Sequence, residues 1–211
     1  MDSHCSTNYK DDKMKLSKLL LATIGATVLL GALVSSASAR TFSISNQFSR
    51  TAFRAVTFGG AFGNITCPIT FEGSLHSRII PKVLGTLIGY ITRADIGSCS
   101  FGRATILRET LPWHVRYLSF SGVLPNITQL RFNVIGFSLR IQEPFAGCLF
   151  RSEVGRPVII AIERNTVTRE LTTAELGGTL PSTCGISATV SSDRAPVTLL
   201  GTTTRITVTL I

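Results

Sequence analysis

Beyond residue 39 this sequence is short of the residues that most chemistry needs. It has one lysine (Lys82), two aspartates (Asp95 and Asp193) and two histidines (His76 and His114). Two aspartates are too few for the oxygen-rich loops that hold calcium. Two lone histidines and no Cys-x-x-Cys leave zinc without paired ligands at short spacing. No Gly-x-Ser-x-Gly elbow occurs, because Gly97-Ser98-Cys99-Ser100-Phe101-Gly102 has the wrong spacing. No glycine loop runs into Lys-Ser/Thr to cradle a phosphate. No later apolar run approaches the roughly 20 residues that span a bilayer. The expectation is a protein without a catalytic residue, a metal or a cofactor.

What is present begins with a leader. Lys15 and Lys18 form a positive start, Leu19 to Val34 is an uncharged apolar run, and Ala37-Ser38-Ala39 supplies small residues before a cut at Arg40. That is the pattern of a secretory signal peptide over residues 14–39. A retained anchor is the alternative, but the run is short of a bilayer span and ends in a good cleavage site. Residues 1–13 are polar and precede a second methionine, so they read as a mis-called start or a non-native extension. Residues 40–211 then form one domain, secreted or held in the cell envelope, with no membrane span after cleavage.

From Arg40 onward sixteen Arg and one Lys face seven Glu and two Asp, a net charge of +8. The arginines stand singly, among them Arg78, Arg93, Arg131 and Arg205. Nucleic-acid binders cluster their charge, so no nucleic acid is expected; a dispersed positive surface suits water, an acidic envelope polymer or a membrane surface. Cys67, Cys99, Cys148 and Cys184 are an even set in an oxidising setting, which favours two disulfides. Three pairings are open; local pairing, Cys67 with Cys99 and Cys148 with Cys184, is the expected one.

The hydrophobic period is two almost throughout. In Ile65 to Glu72 the apolar residues Ile65, Cys67, Ile69 and Phe71 share one face, and Pro68 places this strand at an edge or a bulge. Ile206, Val208 and Leu210 repeat the pattern, as do Cys184, Ile186, Ala188 and Val190. Longer strands are expected over 82–92, 103–111, 113–120, 127–141, 148–151 and 158–164, divided by turn residues such as Gly97-Ser98, Leu124-Pro125-Asn126, Gly177-Gly178 and Leu180-Pro181. Thr172, Glu175 and Gly177 suggest one helical turn over 172–176. The fold class is all-β, an antiparallel sandwich or barrel in a single domain.

The most distinctive stretch is Leu111-Pro112-Trp113-His114-Val115-Arg116-Tyr117. In a strand Trp113 and Tyr117 share one face, and His114 and Arg116 the other. These four could form an exposed ligand surface for a sugar or a lipid head group, or Trp113 could simply fill the core. Hydrolysis would need at least two of Glu72, Asp95, Glu109, His76 and His114 to converge in one pocket.

The segments Gly73-Ser74-Leu75-His76-Ser77-Arg78, Leu84 to Ala94, Glu109 to Val115 and Leu124 to Thr128 resemble a group of small secreted actinobacterial proteins that carry no assigned reaction. The resemblance implies export and an envelope or extracellular life, and transfers no site residue. The expected function is a non-enzymatic β-domain with a structural or surface-interaction role. The alternatives are a barrel that carries a small apolar ligand or, less favoured, a secreted hydrolase.

Overall fold

Alternation of apolar and polar side chains sets the local structure. The computed structural model describes residues 41–61, 63–142 and 147–211, and the expected leader and N-terminal extension lie outside the described residues. In chain order the strands are β1 (Thr41–Ile44), β2 (Phe48–Gly60), β3 (Gly63–Leu75), β4 (Ile79–Pro81), β5 (Leu87–Ile96) and β6 (Ala104–Ile106). A 3-10 turn follows at Arg108–Thr110. Then come β7 (Trp113–Val123), β8 (Asn126–Ile135), β9 (Ser138–Ile141), β10 (Cys148–Arg151), β11 (Val158–Arg164), β12 (Leu171–Pro181), β13 (Ser187–Ser192), β14 (Ala195–Leu199) and β15 (Val208–Leu210).

Nine of these strands pair in the order β11-β8-β7-β5-β3-β2-β13-β12-β14, and β11 also pairs with β12. The sheet therefore closes on itself. β13 and β14 occupy one position between β12 and β2, so the ring has eight staves, every neighbour antiparallel. The staves are strongly staggered. Following paired residues round the ring from Leu87 through Arg116, Asn133, Ile159, Gly177, Ser191 and Thr57 leads to Thr66. Thr66 lies beside Ser100, whose N–H donates to its carbonyl at 2.8 Å, and not beside Leu87. Such stagger tilts the strands and widens a barrel of given strand number.

Both ends are closed by small sheets. β15-β1-β4 covers the end where β2 begins, and β10-β9-β6 covers the other. At the first end buried Arg164 joins cap to wall: its Nε donates to the carbonyl of Val208 and its Nη1 to that of Ile127, each at 2.9 Å. Burial and the nearby charge of Arg169 push this guanidinium below its ordinary pKa. At the second end Phe137 packs inward on Trp113 (ring centroids 4.8 Å), Phe71 (5.9 Å) and Phe58 (6.4 Å). The Trp113 indole N–H is satisfied by Thr110 Oγ1 at 2.9 Å, so the 3-10 turn supplies the acceptor that a buried indole requires.

Pro68 has no N–H to give, and β2 accommodates it with a bulge. The register shifts between Phe53 and Val56, and the amides of Arg54 and Ala55 donate to the Asp193 carboxylate at 3.3 and 3.2 Å. The expected bulge is therefore present, clamped by an aspartate from the adjacent stave, between β13 and β14. The bulge also breaks the alternation of β2, whose buried residues run Phe53, Val56, Phe58. That break hid the strand from a period-two reading.

The pairings Cys67–Cys99 and Cys148–Cys184 are both formed, closing separations of 32 and 36 residues. The helical turn expected over 172–176 is absent. These residues lie within β12, hydrogen-bonded to β11 on one edge and to β13 and β14 on the other. A single helical turn cannot offset its own nucleation cost, whereas a central strand satisfies both edges at once. Gly177-Gly178 and Leu180-Pro181 likewise sit inside β12 instead of ending it. Three expected strands are trimmed. The 82–92 strand starts only at Leu87; 103–111 keeps just Ala104–Ile106; and 127–141 breaks at Gly136, whose φ of +92° only glycine adopts cheaply. A Cβ there would also sit 3.4 Å from Trp113 Cδ1.

Candidate functional site

The Trp113 stretch divides as a strand must. Trp113 is 0 % exposed and Tyr117 3 %. Trp113 packs edge-on against Phe71 at 5.9 Å, and Tyr117 against Phe132 at 6.4 Å and Phe42 at 6.2 Å. Both rings are core, so no four-residue platform forms. His114 and Arg116 face outward, His114 exposed and Arg116 half-buried.

His114 joins a group that the sequence did not reveal. Its ring lies 5.4 Å from that of Tyr90, and Tyr90 lies 4.8 Å from the ring of His76. Strand register makes the group: Tyr90 pairs with His114 on one side and with Ser74 on the other, and His76 follows at the end of β3. Two imidazoles against one phenol form a small polar-aromatic patch on the barrel wall. No carboxylate pairs with either histidine among the described residues. The acids are engaged elsewhere: Glu72 lies between Arg50 and Arg93 (3.8 and 3.7 Å), and Asp95 between Arg93 and Arg108 (2.8 and 2.9 Å). Glu109 lies on the 3-10 turn. A hydrolase would need at least two of the five in one pocket: Asp95 and Glu109 line one open cleft, His76 and His114 flank Tyr90, and Glu72 lies between its arginines. An acid–base pair within hydrogen-bond reach does not form among them.

Two concave features stand out among the described residues. An open cleft of about 890 Å³ lies between the end of β5 and β6, with Asp95, Arg103, Arg108 and Glu109 on its walls. Inside the barrel, beneath β15-β1-β4, is a cavity of about 100 Å³ lined mainly by apolar side chains from nearly every stave, among them Phe53, Ile91, Leu130 and Ile162. It is smaller than the ~150 Å³ apolar cavity that accommodates a benzene. Asn46, Gln47, Ser49, Thr51, Ser74 and Tyr90 add polar groups to its wall.

The most uneven feature is the outer surface. Strand direction puts the connections after β3, β7, β11 and β14 at the end covered by β15-β1-β4. Val83 and Leu84 project from the first, Val123 and Leu124 from the second, Val167 from the third and Leu200 from the fourth. Val123 is 83 % exposed, Val167 86 % and Leu84 70 %. Phe48 and Ile79 are exposed at the same end, whereas only Phe101 and Val154 project at the opposite end among the described residues. Turn chemistry holds these side chains out. Asn165 Oδ1 accepts from the amides of Val167 (2.8 Å) and Thr168 (3.0 Å). The Val83 carbonyl accepts from Thr86 N at 3.1 Å, and Gly85 N donates to the Tyr117 carbonyl at 2.8 Å. Scattered exposed aliphatics are ordinary, but their concentration at one end marks an interaction surface. The only sequence signal was pairs of apolar residues beside turn residues, Val83-Leu84-Gly85 and Val123-Leu124-Pro125.

Neither histidine–tyrosine patch, cleft nor loop end is explained by kinship. No protein-family model, curated protein or solved structure matches the chain. Among the described residues no helix is long and apolar enough to cross a membrane, and no group of three or more His, Cys, Asp or Glu side chains could hold a metal ion.

Proposed function

We propose that this is an exported, non-enzymatic β-barrel that works by docking the end covered by β15-β1-β4 onto a surface at the cell envelope or outside the cell. The observation that carries the proposal is the gathering of exposed aliphatic side chains on four separate connections at that end. A closed, doubly capped barrel with two disulfides suits such work, because it presents loops from a wall that does not rearrange. The dispersed positive charge adds attraction to acidic material, whether an envelope polymer or a lipid surface.

The test is fractionation of producing cells with N-terminal sequencing of the product. A mature chain beginning at Arg40 and retained with the envelope supports the proposal. So does its release into the medium when Leu84 and Leu124 are replaced by serine. A full-length chain confined to the cytosol overturns it. A second reading, carriage of a small apolar ligand, draws on the apolar lining of the interior cavity. At about 100 Å³ the cavity requires β15-β1-β4 to move before a ligand larger than a few heavy atoms can enter.

A further inference from the structure

The proposed docking end has the chemistry of a lipid-facing surface, and we infer that its partner is an anionic bilayer. This inference rests on the docking reading above and names the surface. Val83-Leu84, Val123-Leu124, Val167 and Leu200 occupy four apices, each only one or two residues wide. Between them stand Gly85-Thr86, Asn126, Thr166, Thr168 and Gly201-Thr202. A specific protein interface has a continuous, closely packed apolar centre, commonly anchored by aromatics. The four apices carry only aliphatic side chains, and Phe48 is the one exposed phenylalanine at this end among the described residues. A bilayer interface accepts aliphatic tips, because each tip gains by entering the acyl boundary while the polar residues between tips remain among hydrated head groups.

The charge fits as well. Arg78 and Arg169 are exposed in the connections at this end, Arg205 donates from the fourth connection to the carbonyls of Thr172 and Val197, and Glu170 is the only side-chain carboxylate in those connections among the described residues. Cations around shallow apolar tips are the arrangement that anionic head groups attract. The tips are also preorganised. Val167 is carried on a turn closed by Asn165 Oδ1, Val83 on one closed by Thr86 N, and Leu200 on one closed by the Thr202 amide donating to the Leu199 carbonyl at 3.1 Å. Little ordering is left to be done on contact, which favours attachment through a small area.

The experiment is co-sedimentation of the mature protein with vesicles of phosphatidylcholine, with and without a third of phosphatidylglycerol. The wild-type chain should bind the anionic vesicles and release as ionic strength rises. The Leu84→Ser/Leu124→Ser variant, altered only at exposed positions, should bind at least tenfold more weakly with an unchanged near-ultraviolet spectrum. A Leu124→Trp variant should shift its emission to the blue on vesicle addition, since Trp113 is already buried and contributes a constant background. A wild-type protein that stays in the supernatant, or a serine variant that binds equally, overturns the lipid assignment. If isolated acidic wall polymer then captures the wild type and not the serine variant, the docking reading stands with a different surface. If neither vesicle nor polymer is bound, both readings fall.

Discussion

Lys82 is the only lysine beyond residue 39, and its environment is unusual for an ammonium. Its Nζ is enclosed and has no hydrogen-bond partner, 5.1 Å from the centre of the Phe42 ring and 5.9 Å from that of Phe120. Two ring faces attract a cation, but they do not replace its lost water, and burial pushes the amine below its ordinary pKa. The unfolded chain therefore holds the proton more tightly than the folded one. Between the lowered folded value and the ordinary ~10.4, stability rises with pH, because only the unfolded state remains protonated there. Wild-type protein should accordingly show a urea midpoint that climbs over the alkaline range relative to Lys82→Met, whose own midpoint lacks that climb. Tyr117, a neighbour of Phe42, is pushed the opposite way by burial, and it cancels in the comparison because both proteins carry it. A wild-type-minus-variant difference that is flat with pH would show that Lys82 is solvated.

Elements were legible where alternation was clean and illegible where tertiary contacts decided. β3 could be read from period two alone, and β7 and β11 from their β-branched and aromatic content. β2 could not, because the bulge opposite Pro68 shifts its inward residues by one. β12 carried a false helix signal in Thr172, Glu175 and Gly177, and two false turns, which only its neighbours on both edges override. The disulfides were legible as a pair of local links, and Cys148–Cys184 has a specific mechanical task. It ties β10, in the far cap, to the connection between β12 and β13 in the wall. Closing a 36-residue loop is worth roughly 3–4 kcal/mol by chain entropy. Replacing both cysteines by serine should lower unfolding stability by about that much, measured by urea denaturation monitored by circular dichroism, and leave the strand spectrum intact. A loss well under 1 kcal/mol would mean that cap and wall stay joined without it.

At the scale of the molecule, closure of the ring makes one cooperative object. Trp113 belongs to one stave, touches Phe71 two staves away, and packs on Phe137 of the cap connection. The near-ultraviolet signal of Trp113 and the far-ultraviolet signal of the strands should therefore be lost in one coincident thermal transition. Two separated transitions would show that the β10-β9-β6 cap unfolds on its own. The candidate site belongs to this scale as well. No single loop is a site; the docking end exists because four connections, far apart in sequence, emerge on one side of a closed sheet.

The residue order by itself determined the backbone class, the number of disulfides, and the division of Trp113 and Tyr117 from His114 and Arg116 onto opposite faces of one strand. Each follows from local periodicity or from cysteine number in an oxidising setting. Tertiary structure alone decided that the sheet closes, that β12 is a strand, that His76, Tyr90 and His114 meet, and that the exposed aliphatic tips share one end. Those outcomes depend on which distant strands pair and in what register. Pairing energy is distributed over contacts between remote segments, so no short window of sequence contains it.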